Sequence, residues 1–73
     1  MRRYADVDYD NPDVIEVIDR VIHSDRDRRI LRAWLCDGVS QERIAEDEDV
    51  SVATVKRACA SGCEKVFRRM GLI

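Results

Sequence analysis

The tightest constraint on this chain is a short link. A stretch with helical spacing after Ser40, "QERIAEDE", is joined through "DEDVS" to a second one that follows Ser51 and runs to about Met70. With so little chain between them the two helices cannot lie side by side and must cross steeply. In such a pair the axes meet at roughly 90–120° and share a turn of about 3–4 residues, the helix-turn-helix arrangement.

The rest of the chain supplies two more helices. In "NPDVIEVIDRVIHS", Asn11 is placed to cap a helix and Pro12 to occupy its first position, where a missing N–H costs nothing. At 100° per residue, Val14, Ile15, Val17, Ile18, Val21 and Ile22 fall within an arc of about 160°. Ser24 caps a second helix through "DRDRRILRAWLCD", with Ile30, Leu31, Trp34 and Leu35 at helical spacing and Gly38 as its stop. Residues 1–10 mix acids with Tyr4, Val7 and Tyr9 without a sustained period and read as an exposed acidic tail. No segment reads as a strand. The expected fold is therefore all-α, a four-helix domain over 11–73 whose last two helices form the helix-turn-helix.

Seventy-three residues make one domain with a small core. Hydrophobic residues at 45% and charged residues at 38% suit a soluble globular protein, too apolar for disorder. No apolar run approaches the roughly 18 residues of a membrane span, and "MRRYADVDYD" lacks the apolar core of a signal peptide. The expected compartment is the cytoplasm, with no membrane partner. Three cysteines, an odd number, fit reduced thiols better than a disulfide framework. The formal charge of -2 hides an uneven distribution: residues 1–19 carry -4, residues 20–49 carry -2 and residues 50–73 carry +4.

On the last helix Val52, Val55, Cys59, Gly62, Cys63, Val66 and Met70 lie within about 100° of one another and form the apolar stripe. Cys59 and Cys63 thus belong with the core, where a free thiol behaves as a small hydrophobe. Their i, i+4 spacing also suits two thiolates on one ion, but a structural zinc site needs four ligands and only Cys36 and His23 remain. No metal or cofactor is expected. Without a phosphate loop, paired acids or a nucleophile–histidine pair, no enzyme is read either. The opposite side presents Ala53, Thr54, Arg57, Ala60, Ser61, Glu64 and Arg68, with Lys56 at the border. Lys56 and Arg57 stand within two turns of the helix start, where a major-groove reader places its base-contacting residues. Arg28 and Arg32, on the second helix, are candidates for phosphate contacts to double-stranded DNA.

The run "DGVSQERIAEDEDVSVATVKR" resembles region four of bacterial sigma factors, above all the extracytoplasmic-function type, with its pattern G-L-S-x-E-E-I-A-x-x-L-G-I-S-x-G-T-V-K. Gly38, Val39, Ser40, Glu42, Ile44, Ala45, Val50, Ser51, Thr54, Val55 and Lys56 match without a gap. The likeness extends over about residues 12–70. It implies promoter DNA in the major groove, bound by Lys56 and read by Thr54, Arg57 and Ser61, and contact with RNA polymerase. Four positions depart from the pattern: Glu48 replaces the core leucine of the third helix, Asp49 replaces the turn glycine, and Val52 and Ala53 stand where primary sigma factors carry charged readers. A complete sigma factor also needs the region that melts promoter DNA, which 73 residues cannot hold. The expectation is a free-standing region-four-like regulator, such as a small phage or mobile-element protein, or part of a longer chain.

The rival reading is an interaction module that docks on RNA polymerase or a sigma partner with little DNA affinity. An apolar patch is expected where the first helix meets Phe67, serving a homodimer or polymerase.

Overall fold

A computed structural model describes residues 2–4 and 7–73, with side chains described from residue 8 onward. The element order is β1 (Arg2–Tyr4), β2 (Val7–Tyr9), α1 (Asn11–Val21), α2 (Asp25–Leu35), α3 (Gln41–Glu48) and α4 (Val52–Arg69). The all-α expectation holds for the body of the domain. Its N-terminal end differs, because β1 and β2 pair antiparallel with Arg2 opposite Tyr9 and Tyr4 opposite Val7.

The end of this hairpin is not an exposed tail, since Tyr9 is only 5% exposed. Its ring packs on Phe67 with centroids 5.3 Å apart, and its hydroxyl donates to the Leu35 carbonyl at 2.9 Å. Asn11 does not cap α1 either. That position falls to Asp10, and Asn11 Nδ2 instead donates to the Cys36 carbonyl at 3.2 Å. Both residues satisfy carbonyls at the C-terminal end of α2, groups that have no partner inside their own helix.

The serine caps form as their spacing predicts. Ser24, Ser40 and Ser51 accept from the backbone N–H of Asp27, Arg43 and Thr54. α3 ends in a Schellman motif, in which Val50 N–H donates to Ala45 O at 3.0 Å and Asp49 N–H to Glu46 O at 3.3 Å. Asp49 takes the left-handed conformation there, with φ 55° and ψ 47°. The sequence pattern wants glycine at this place, and aspartate tolerates the region better than most residues. The same motif closes α4, with Gly71 at φ 75° and Leu72 N–H donating to Phe67 O at 2.9 Å.

The core has two parts. One joins Tyr9, Val14, Ile18, Ile22, Leu31, Leu35, Cys36, Cys63, Val66 and Phe67; the other joins Ile30, Ile44, Ala45, Val55 and Cys59, and Trp34 packs against both. α2 and α4 contribute to each part, so these two helices are the spine. They meet at Gly62, where a Cβ would overlap the Leu31 side chain, itself fully buried. Phe67 is 2% exposed, which removes it from the apolar patch expected beside α1. Ile15, Val17 and Val21 are half-buried against the core, and among the described residues Leu72 and Ile73 are the exposed large apolar side chains.

Glu48 turns to Arg29 on α2. Arg29 Nη2 donates to Oε1 at 2.8 Å and Nε to Oε2 at 3.0 Å, a bidentate bridge between α2 and α3. These hydrogen bonds, opposed by desolvation, hold the Glu48 carboxyl below the usual glutamate range, and the same bonds raise the Arg29 guanidinium.

This packing makes the effects of three substitutions predictable. Gly62→Ala gains about 1 kcal/mol of helix propensity. Overpacking against a fully buried leucine costs about 1–3 kcal/mol, so denaturant unfolding should show a net loss. Equal or higher stability would mean that Leu31 can move aside. Asp49→Gly relieves the left-handed strain and should gain from a few tenths to about 1 kcal/mol, less than the full strain because glycine loses more entropy on folding. The depressed Glu48 carboxyl adds stability that is fully present above its unfolded value of roughly pH 4.3 and disappears as pH falls through the lower folded value. Melting temperatures taken down the carboxylate range should therefore drop less steeply in Glu48→Gln than in the parent.

Candidate nucleic-acid interface

α4 begins on a well-made cap. Ser51 Oγ accepts from Thr54 N–H at 3.1 Å, and the Ser51 and Thr54 hydroxyls share a further hydrogen bond of 2.9 Å. Thr54 is half-buried, with its hydroxyl engaged to that of Ser51. Ala53, Lys56, Arg57 and Ala60 are exposed on the first turns of the helix. Glu64 comes next on the outward side and is bound by Arg68 at 2.6 Å.

Pairing elsewhere decides where positive charge remains. Arg20 pairs with Glu16, Arg26 with Asp27, Arg28 with Asp25, Arg29 with Glu48 and Arg43 with Asp47. Among the residues whose side chains are described, the basic groups outside any ion pair are Arg32, Lys56, Arg57, Lys65 and Arg69, and all but Arg32 belong to α4. Helix termini add to this asymmetry. α1, α2 and α3 each carry an acid in the first turn, whereas α4 carries none. The partial positive charge at the α4 N-terminus thus has no carboxylate of its own helix beside it.

The remaining candidates lie outside the first two turns of α4. Arg28 donates through Nε to the Ile22 carbonyl and through Nη2 to the Asp19 carbonyl at 3.1 Å, closing the C-terminal end of α1. Its guanidinium is thereby committed to the fold, which charge and position alone could not distinguish from a phosphate contact. Arg32 is exposed on α2. Ser61 borders a recess of ≈ 210 Å³ at the α1–α2 turn, together with His23, Ser24, Asp27, Gly62 and Lys65. Ala53 and Ala60 are absent from the expected readers, although the helical period alone puts both on the outward stripe.

Cys36, Cys59 and Cys63 are buried and form no disulfide. Burial pushes the Cys59 thiol up, against a smaller opposing effect of a hydrogen bond with Gln41. A raised thiol is a poor nucleophile and a poor metal ligand, since both roles need the thiolate. Among the described residues no three His, Cys, Asp or Glu side chains gather as a metal site, and no helix is long and apolar enough to cross a membrane.

No family model, curated protein or solved structure matches this chain, so its relationships rest on its own residues and geometry.

Proposed function

We propose that the chain is a DNA-binding transcription regulator, similar to region four of a sigma factor, which seats the first two turns of α4 in the major groove. The observation that carries this reading is that Lys56 and Arg57 stand outside any ion pair near a helix start without acids, after a three-residue turn from α3. In a helix-turn-helix the second helix enters the groove with its N-terminal residues on the base edges, while the first crosses the backbone. Lys56 and Lys65 then neutralise phosphates, with Arg32 adding to them from α2, and Arg57 faces the bases.

The fold prepares this role by removing competitors. Arg29, Arg43 and Arg68 are held by carboxylates, so non-specific attraction rests on few side chains. With a net charge of -2, the isolated domain binds weakly, and specificity is completed by a second copy on a two-fold site or by recruitment to RNA polymerase. One observation favours the interaction module instead: Glu42 and Glu46 are exposed on α3, the helix that would run nearest the phosphates.

Titrating the protein with labelled duplexes across a salt series separates the two. DNA affinity should fall linearly on a log–log plot, and Lys56→Ala should reduce that slope by about 1, because one phosphate fewer is neutralised. Arg57→Ala should weaken binding at every salt concentration. Failure to bind any duplex at low salt would leave the interaction module as the function.

A further inference from the structure

We infer that the face between the end of α1 and the C-terminal half of α4 docks an acidic peptide segment of a partner protein. One large apolar side chain of that segment fills the recess at the α1–α2 turn, and its carboxylates meet Lys65 and Arg69. Two depressions make this face. The recess of ≈ 210 Å³ is floored by Ile22, Leu31 and Gly62, which are buried, and bordered by His23, Ser61 and Lys65, which are exposed. A shallower groove of ≈ 500 Å³ is lined by Val21, Lys65, Arg68 and Arg69. Val21 and Lys65 border both, so the two run into one another.

Charge decides what fits. Arg68 is balanced by Glu64, which leaves Lys65 and Arg69, outside any ion pair among the described residues, as the net charge of the groove. Asp27 is the acid on the recess wall. Its Oδ1 is closed to water and stands 3.7 Å from Arg26 Nε, so its charge is met from its own helix and does not cancel those two cations. A buried apolar floor beside a cationic rim is the arrangement in which an anchor side chain supplies affinity and the surrounding charges select the partner. The recess also lies below the roughly 300–1,000 Å³ of small-molecule pockets and suits a single side chain. A second copy of the chain is a poorer occupant of this face. Its exposed apolar side chains, Leu72 and Ile73, stand three and four residues after Arg69, so seating them here brings cations onto cations. The surface does not rest on the DNA-binding reading, but it shares Lys65 with it, and at that lysine an acidic segment and a phosphate exclude one another.

The test is selection of peptides from a random library on the full chain, followed by titration of the enriched peptides into isotope-labelled protein. Enriched sequences should combine Asp or Glu with one large apolar residue, and the largest amide shifts should fall at Val21, His23, Ser61, Lys65 and Arg69. Replacing the apolar residue of the peptide by glycine should weaken binding at least about tenfold. Lys65→Ala and Arg69→Ala should each weaken it about two- to fivefold. Ser61→Phe, at an exposed position, should block the recess, while Arg43→Ala, which removes a cation from α3, should change nothing. Enrichment of basic or neutral peptides, shifts centred on another face, or binding indifferent to the apolar residue would overturn the proposal. Self-association lost in Ser61→Phe would overturn it in favour of a second copy. None of these results bears on the duplex titration, whose failure would in turn leave this surface standing.

Discussion

The contact between Gly62 and Leu31 sets the geometry on which the other parts of this domain depend. Any side chain at residue 62 would collide with a leucine that has no accessible surface, so the missing Cβ sets how closely α4 can lie on α2. These helices join both parts of the core, through Ile30, Leu31 and Leu35 on one and Val55, Cys59, Cys63, Val66 and Phe67 on the other. Because the interior is close-packed, a shift at their crossing would be felt along the whole of α4. The direction in which Lys56 and Arg57 point is therefore decided two turns away, at a position with no charge at all.

Around that spine the helix ends are closed by side chains from other elements. Tyr9 and Asn11 supply donors to Leu35 and Cys36, and Arg28 supplies donors to Asp19 and Ile22. A carbonyl at a helix end that is packed inward cannot rely on water, and leaving it unpaired costs about as much as losing a hydrogen bond. The hairpin and the α1–α2 corner are thus fastened by polar contacts as well as by apolar burial. One consequence reaches the surface: Arg28 is withdrawn from the pool of cations that could meet a phosphate.

Both departures from the sigma-like pattern in α3 are absorbed by geometry. Glu48 is 16% exposed and would be costly as a lone charge, but Arg29 meets it with two parallel hydrogen bonds while keeping 59% of its own side chain in water. Asp49 accepts the left-handed backbone that lets α3 stop and α4 start within three residues. The Glu48–Arg29 bridge also links α2 to α3 electrostatically. Charge consumed in this way inside the fold sharpens the contrast with α4, where it is left free.

The four helices are legible in the sequence because their signals are local. Ser24, Ser40 and Ser51 each cap within three residues, the apolar stripes repeat at the helical period, and Gly38 and Gly71 take the positive φ that ends a helix. The hairpin is not legible, because Tyr9 owes its burial to Phe67 and Leu35, far away in the chain. The candidate interface divides along the same line. Lys56 and Arg57 can be placed from their distance to the α4 start, whereas the engagement of Thr54 with Ser51 and of Arg28 with the α1 carbonyls depends on side-chain directions that no spacing rule supplies. By itself, then, the sequence determined which segments are helical, where the last three of them start, and that positive charge gathers toward the C-terminal end. Only the tertiary structure decided which of those charges remain unpaired, because an arginine is free or committed according to the carboxylates and carbonyls that folding brings within reach.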